Sequence, residues 1–122
     1  MPMRGLTILV ATGDAERLHT ALGFAAATAA TGARIRLHLH EGAVALLAAP
    51  LSAPNDPARH KAGLPKLGEL WEEALGLGVA ISLCQSGLAL HDLDLEKLDP
   101  RLEAQGPVSV MTGLGDDRLV AF

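Results

Sequence analysis

The chain has 122 residues, 49% of them apolar, and a net charge of −4. That length fits a single domain over residues 1–122 with a core of its own, and the acid excess leaves no basic stripe for phosphates, which argues against a nucleic-acid binder. Phe24, Trp71 and Phe122 are the only aromatics, so Leu, Ala, Val and Ile must build the core, and the stacking platforms of single-strand binders are missing.

Leu6 to Ala11 is a continuous apolar run, as expected of a central parallel strand covered on both faces. Thr12-Gly13-Asp14 then turns into a helix, with Asp14 and Glu16 bringing negative charge to its first turn. Leu18, Ala21, Leu22, Ala25 and Ala29 share one helical face, and Gly32 is placed to end the helix just after Thr31. Ala33 to Leu39 alternates Ile35, Leu37 and Leu39 with Arg34, Arg36 and His38, which predicts a half-exposed strand near a sheet edge. Gly42 to Ala49 reads as a short apolar helix, and Pro50 to Pro65 as a long loop of the kind that is often mobile or functional. Leu67, Leu70, Trp71, Ala74 and Leu75 define an amphipathic helix ending near Gly76 or Gly78. Gly78 to Leu83 is the next strand, and Leu88 to Leu98 is helical or irregular. Pro107 to Met111 predicts a fourth strand and Arg118 to Phe122 a fifth, with only a turn over Thr112 to Asp117 between them.

This alternation predicts a three-layer α/β/α flavodoxin-like domain on a mainly parallel five-stranded sheet of order 2-1-3-4-5. Strands 1 and 3 are neighbours in that order, and ligands of such sheets sit beyond the carboxyl ends of the strands at the switch point. Thr12-Gly13-Asp14 and Cys84-Gln85-Ser86-Gly87 then face one crevice.

Cys84 is the lone cysteine. A thiol at a strand-to-helix turn lies near free backbone N–H groups and the positive end of a helix dipole, and both favour thiolate. The plainer reading is a small buried hydrophobe. His91 lies seven positions on and His60 lies in the long loop; both are candidates to assist Cys84, although His91 beside Asp92 also reads as an ordinary surface histidine. His38, His40 and Glu41 share one strand end, but a metal site needs three or four ligands and no further cluster accompanies them, so no metal is expected. Gly113-Leu114-Gly115 precedes a strand, which excludes a dinucleotide fingerprint. The acids Asp92, Asp94, Glu96 and Asp99 read as a solvated face or a charged docking surface. No apolar run reaches the roughly 18 residues of a membrane span, and the N-terminus shows no signal-peptide pattern. With a single cysteine, the expectation is a cytoplasmic protein in a reducing compartment.

The apolar first strand, the helix of small residues, the segment His40-Glu41-Gly42-Ala43-Val44-Ala45-Leu46-Leu47, the Leu67–Leu75 helix and the strand delivering Cys84-Gln85-Ser86-Gly87 together resemble the DsrE/DsrF/TusD-like sulfur-relay family. The likeness covers nearly the whole chain; the last crossover, before Arg118, is shorter than the family's usual helix. It implies a flavodoxin-like domain that forms homo-oligomers, often trimers or hexamers. By position it makes Cys84 the residue that carries a persulfide from a sulfur donor protein to an acceptor protein. Gln85, Ser86 and Gly87 would then stabilise the sulfur anion through their N–H groups, and Thr12, Gly13 and Asp14 would line the pocket mouth. No cofactor is implied, since the sulfur rides on the protein. The alternative is a non-catalytic oligomeric binding module using the same crevice, with Cys84 structural. A small flavin-binding protein would share the fold but lacks aromatic residues near either crevice loop.

Overall fold

The computed structural model describes residues 3–122. Five strands, β1 (Leu6–Val10), β2 (Ile35–Leu39), β3 (Ala80–Leu83), β4 (Glu103–Ala104) and β5 (Arg118–Ala121), form one sheet in the order β4-β3-β2-β1-β5. Every pairing is parallel. Read from the β5 edge the order is 5-1-2-3-4. It has the shape of 2-1-3-4-5: strand 1 stands second from an edge and the rest ascend away from it. The edge place beside β1 is taken by β5, however, and β2 lies between β1 and β3. The second strand is therefore central, not near an edge, which is why His38 is buried.

Helices α1 (Ala15–Ala30) and α3 (Leu67–Gly76) pack against each other on one face of the sheet. They cover Ile8, Val10, Leu37, Leu39, Ile81 and Leu83, which alternate along the strands as period 2 requires. Small residues Ala21, Ala25 and Ala26 of α1 let it lie close, and Trp71 of α3 is the one aromatic sealed in this core. Asp14 caps α1 by accepting from Glu16 N at 2.8 Å, and Gly32 follows its end at φ +88°, as the sequence predicts. Glu69 accepts from Lys66 N at 2.9 Å and fixes the start of α3.

The stretch after Leu102 also differs from expectation. Glu103–Ala104 is the fourth strand, and Pro107–Thr112 is helix α5 instead. Val108, Val110 and Met111 favour a strand by composition, but Gly106-Pro107 opens a helix, since proline at the first helical position loses no hydrogen bond. Only Val110 of this helix is buried, so no two-sided burial holds the segment extended. Helix α5 lies on the face opposite α1 and α3, where Arg36 donates to Thr7 Oγ1 at 3.0 Å and to Val110 O at 3.3 Å. The turn before β5 is held by buried Asp117, which accepts from Thr7 Oγ1 at 2.8 Å and pairs with Arg34 at 2.9 Å. Among the described residues no helix is long and apolar enough to cross a membrane.

The Pro50–Pro65 stretch is a pinned strap that contains helix α2 (Asp56–Lys61). Asp56, 8% exposed, accepts from Ala53 N at 2.9 Å, Leu67 N at 3.0 Å and Arg59 Nη1 at 3.2 Å. Burial alone would push its carboxyl up, yet these donors hold it below its ordinary value. Arg59 also pairs with Glu16 of α1, which accepts from Asn55 N at 2.8 Å. Asp56→Ala leaves two amides and a guanidinium short of a partner, so a loss of about 2 kcal/mol is expected, read from the urea midpoint.

Candidate functional site

The ends of β1, β2 and β3 lie side by side. His40 N donates to Val10 O at 2.8 Å and Cys84 N to Leu39 O at 3.0 Å, so the chain leaves all three strands at one level. Cys84 is extended (φ −83°, ψ 143°) and stands as the N-cap of α4 (Gln85–Leu90). The residue is 1% exposed.

Three donors converge on Cys84 Sγ: Glu41 N at 2.9 Å, Gly87 N at 3.2 Å and the Ser86 hydroxyl at 3.3 Å. Two come from the first turn of its own helix. The third comes from the exit of the neighbouring strand, where β2 runs into a 3₁₀ segment, Glu41–Ala48. Glu41 holds a left-handed backbone at φ 40°. That conformation costs a side-chain-bearing residue about 1–2 kcal/mol, and here it coincides with an amide turned onto sulfur. Gly87 permits the helix to close over the site. A methyl group there would stand 2.5 Å from Val44 Cγ2 and 3.1 Å from Sγ itself.

Gly87 and Ser86 apart, none of the residues that the sequence assigns to the Cys84 site donates to Sγ, and His60 lies in a separate groove. A Cβ at Gly13 would meet Gly42 O at 3.1 Å, so the Thr12–Asp14 turn abuts the start of the 3₁₀ segment that supplies Glu41. Thr12 Oγ1 accepts from Asp14 N at 3.5 Å, and the Asp14 carboxylate is committed to capping α1. Gln85 is exposed at the start of α4, and its amide is not among the donors. His91 closes α4, with its Nε2 buried and unpartnered. His60 is exposed on α2, in a groove lined also by Pro57, Lys66 and Glu69. Neither histidine hydrogen-bonds to the sulfur.

Strands 1 and 3, expected as neighbours, are separated by β2. This is why Glu41 was not anticipated: its role follows only from β2 lying beside β3, with His38 opposite Ser82 and Leu39 opposite Leu83. His40 Nε2 lies 3.2 Å from Glu41 Oε1. His38 Nδ1 lies 2.8 Å from Ser82 Oγ, and burial, with the charges of His40 and Arg36, pushes its imidazole down to about 4. Among the described residues no group of three or more His, Cys, Asp or Glu is placed to hold a metal ion. The acids after α4 are partly engaged. Asp94 caps a 3₁₀ turn, and Asp99 binds Arg101, whose guanidinium pushes the carboxyl down to about 2.

The arrangement is suited to holding negative charge on one sulfur, since donors to an ionised acceptor are about twice as strong as those to a neutral one. Among the described residues it supplies no general base hydrogen-bonded to that sulfur.

The model of the DsrE/DsrF-like family matches residues 5–115. Among solved structures, the crystal structure of the ychN protein from E. coli is similar with a TM-score of 0.73 over 98% of this chain and 100% of that one, at 19% sequence identity. At that identity the likeness is one of fold. No curated protein matches the sequence. With a family match over nearly the whole chain beside a shared fold, this chain belongs to the DsrE/DsrF-like family.

Proposed function

We propose that this chain is a cytoplasmic sulfur-relay protein that carries a persulfide on Cys84 and passes the outer sulfur to a partner protein. The observation that supports this most is the convergence of Glu41 N, Gly87 N and Ser86 Oγ on Cys84 Sγ. In loading, the Cys84 thiolate attacks the outer sulfur of a donor protein's persulfide. The donor's S–S bond breaks, its cysteine leaves as a thiolate that takes up a proton, and Cys84 holds the new S–S bond. In delivery, an acceptor thiolate attacks that outer sulfur and Cys84 leaves as the thiolate, back onto its three donors. Each step exchanges one S–S bond for another, so no oxidant is consumed. The leaving group is a stabilised anion, which is why a carrier works without a contacting base; His60 and His91 are not needed in either step.

With Cys84 1% exposed, loading requires α4 to open transiently and then close again, returning the donors that hold the sulfur's charge. A six-residue helix is too short to be stable alone, so such opening is inexpensive. Exposed Gln85 and Ser86 then meet the partner, with Thr12, Gly13 and Asp14 at the rim. Exposed Phe24, Leu90, Val108 and Met111 support self-association, for which the family suggests a trimer or hexamer.

The burial of Cys84 also favours a second reading, a binding module in which the thiol only ties α4 to the end of β2. One experiment decides between them. After exposure to glutathione persulfide, intact-mass spectrometry should show a gain of about 32 Da, one sulfur, absent in Cys84→Ser. No gain, or a gain retained by Cys84→Ser, overturns the carrier assignment.

A further inference from the structure

The two edges of the sheet are built differently. The β4 edge is two residues long and carries Glu103, and short, charged strands resist pairing with another chain. At the β5 edge all four residues, Arg118–Ala121, are exposed, and Leu119, Val120 and Ala121 form an uncharged apolar run without proline. The bonds to β1 fix which backbone groups are left over. Arg118 N donates to Gly5 O, Phe122 N to Leu9 O, and Ala11 N to Phe122 O. In a parallel ladder such contacts fall on every second residue of a strand. Val120 therefore also turns to β1, and the N–H and C=O groups of Leu119 and Ala121 point away from the sheet.

These four groups call for an extended strand, and a second β5 running antiparallel meets all of them about a two-fold axis at Val120. Leu119 then exchanges both hydrogen bonds with Ala121 of the second copy, and Ala121 with that copy's Leu119. The side chains agree with this register. Large Leu119 stands opposite small Ala121. Val120 stands opposite Val120, a β-branched pair at the close spacing of about 4.5 Å between Cα atoms. Arg118 falls opposite Phe122, so the two guanidinium groups lie at opposite ends of the paired strands and no like charges meet. On the α1 face Val120 shares a groove with Phe24, which is 61% exposed, and with Phe122, so apolar surface flanks the seam.

We propose that two copies of this chain join β5 to β5, antiparallel, merging two five-stranded sheets into one. This deepens the self-association proposed above and holds without the sulfur chemistry. A hexamer is then three such pairs, and a bare trimer is excluded.

Cross-linking reads the register. In full-length protein carrying Cys84→Ser, Val120→Cys treated with diamide, which takes up the two electrons and two protons, should give a covalent dimer, because a disulfide spans Cα atoms about 4.4–6.8 Å apart. Leu119→Cys should cross-link at least about tenfold less, since its counterpart lies diagonally across at about 7–8 Å. Native mass spectrometry over a dilution series should show an even-numbered assembly for the parent. Val120→Lys, which sets two ammonium groups face to face, should weaken it about tenfold or more. Ala121→Pro removes an outward N–H while leaving the bonds to β1 in place, and serves if the lysine variant misfolds. A parent that is monomeric or trimeric, equal cross-linking at positions 119 and 120, or assembly undiminished in both variants overturns the proposal. Sulfur loading of Cys84 is read separately by its mass gain, so either reading can fail without the other.

Discussion

Gly87→Ala should cost about 3 kcal/mol, lower the melting temperature by roughly 10 °C and cut persulfide uptake at Cys84 about tenfold. The added methyl would stand 2.5 Å from Val44 Cγ2 and 2.8 Å from Val44 Cβ. Val44 is fully buried, and the clash reaches its branch point, so no rotamer change relieves it. Either α4 lifts or the 3₁₀ segment Glu41–Ala48 shifts. Both movements pull a donor off Sγ: lifting α4 removes Gly87 N and Ser86 Oγ, and shifting the segment removes Glu41 N. Stability and sulfur loading should therefore fall together.

Val44→Ala tests the mechanism. Alone it leaves a cavity and costs about 2 kcal/mol. Combined with Gly87→Ala it removes the clashing atoms, so the double variant should be more stable than the sum of the two losses by about 1–2 kcal/mol. Strict additivity would show that the methyl at position 87 acts elsewhere. A Gly87→Ala protein within about 0.5 kcal/mol of the parent would show that the contact is not tight at all.

How much of this was legible in the sequence differs from place to place, for physical reasons. The first strand, α1 and α3 each bury a long face, so the spacing of Ile8 and Val10, of Leu18, Ala21, Leu22 and Ala25, and of Leu67, Leu70, Trp71 and Ala74 carries their identity. Cys84 was legible as a strand-end residue because Ile81 and Leu83 are sealed before it. Helix α5 was misread because it buries only Val110, and with so little burial the β-branched residues outvote the Gly106-Pro107 start. The strap's α2 was hidden because what orders it is the Asp56–Arg59–Glu16 network, a contact across 43 positions between Glu16 and Arg59. Glu41 was beyond reach for a related reason. Which strand end stands beside Cys84 depends on sheet order, and no local pattern in Arg34 to Gly42 encodes its neighbour.

Acidification should destabilise the protein by about 3 kcal/mol through His38 alone, with about 2 kcal/mol already lost by pH 5. Burial, reinforced by the charges of His40 and Arg36, lowers His38 from an ordinary 6.5 to about 4 in the folded chain. The folded state thus refuses a proton that the unfolded chain accepts below 6.5. The unfolded state is therefore favoured progressively as pH falls from 6.5 to about 4, and the loss is complete below that, where both states are protonated. At neutral pH the imidazole is uncharged in both states and the penalty vanishes. The engaged carboxylates Asp56, Asp99 and Asp117 have lowered values, so their stabilisation is lost at a lower pH and overlaps the His38 window only at its acid end. His38→Asn isolates the effect: the difference in urea-derived stability between parent and variant should shrink by about 3 kcal/mol between pH 7 and pH 4. If that difference stays constant with pH, His38 titrates alike in folded and unfolded chains, and its burial beneath α5 does not hold it neutral.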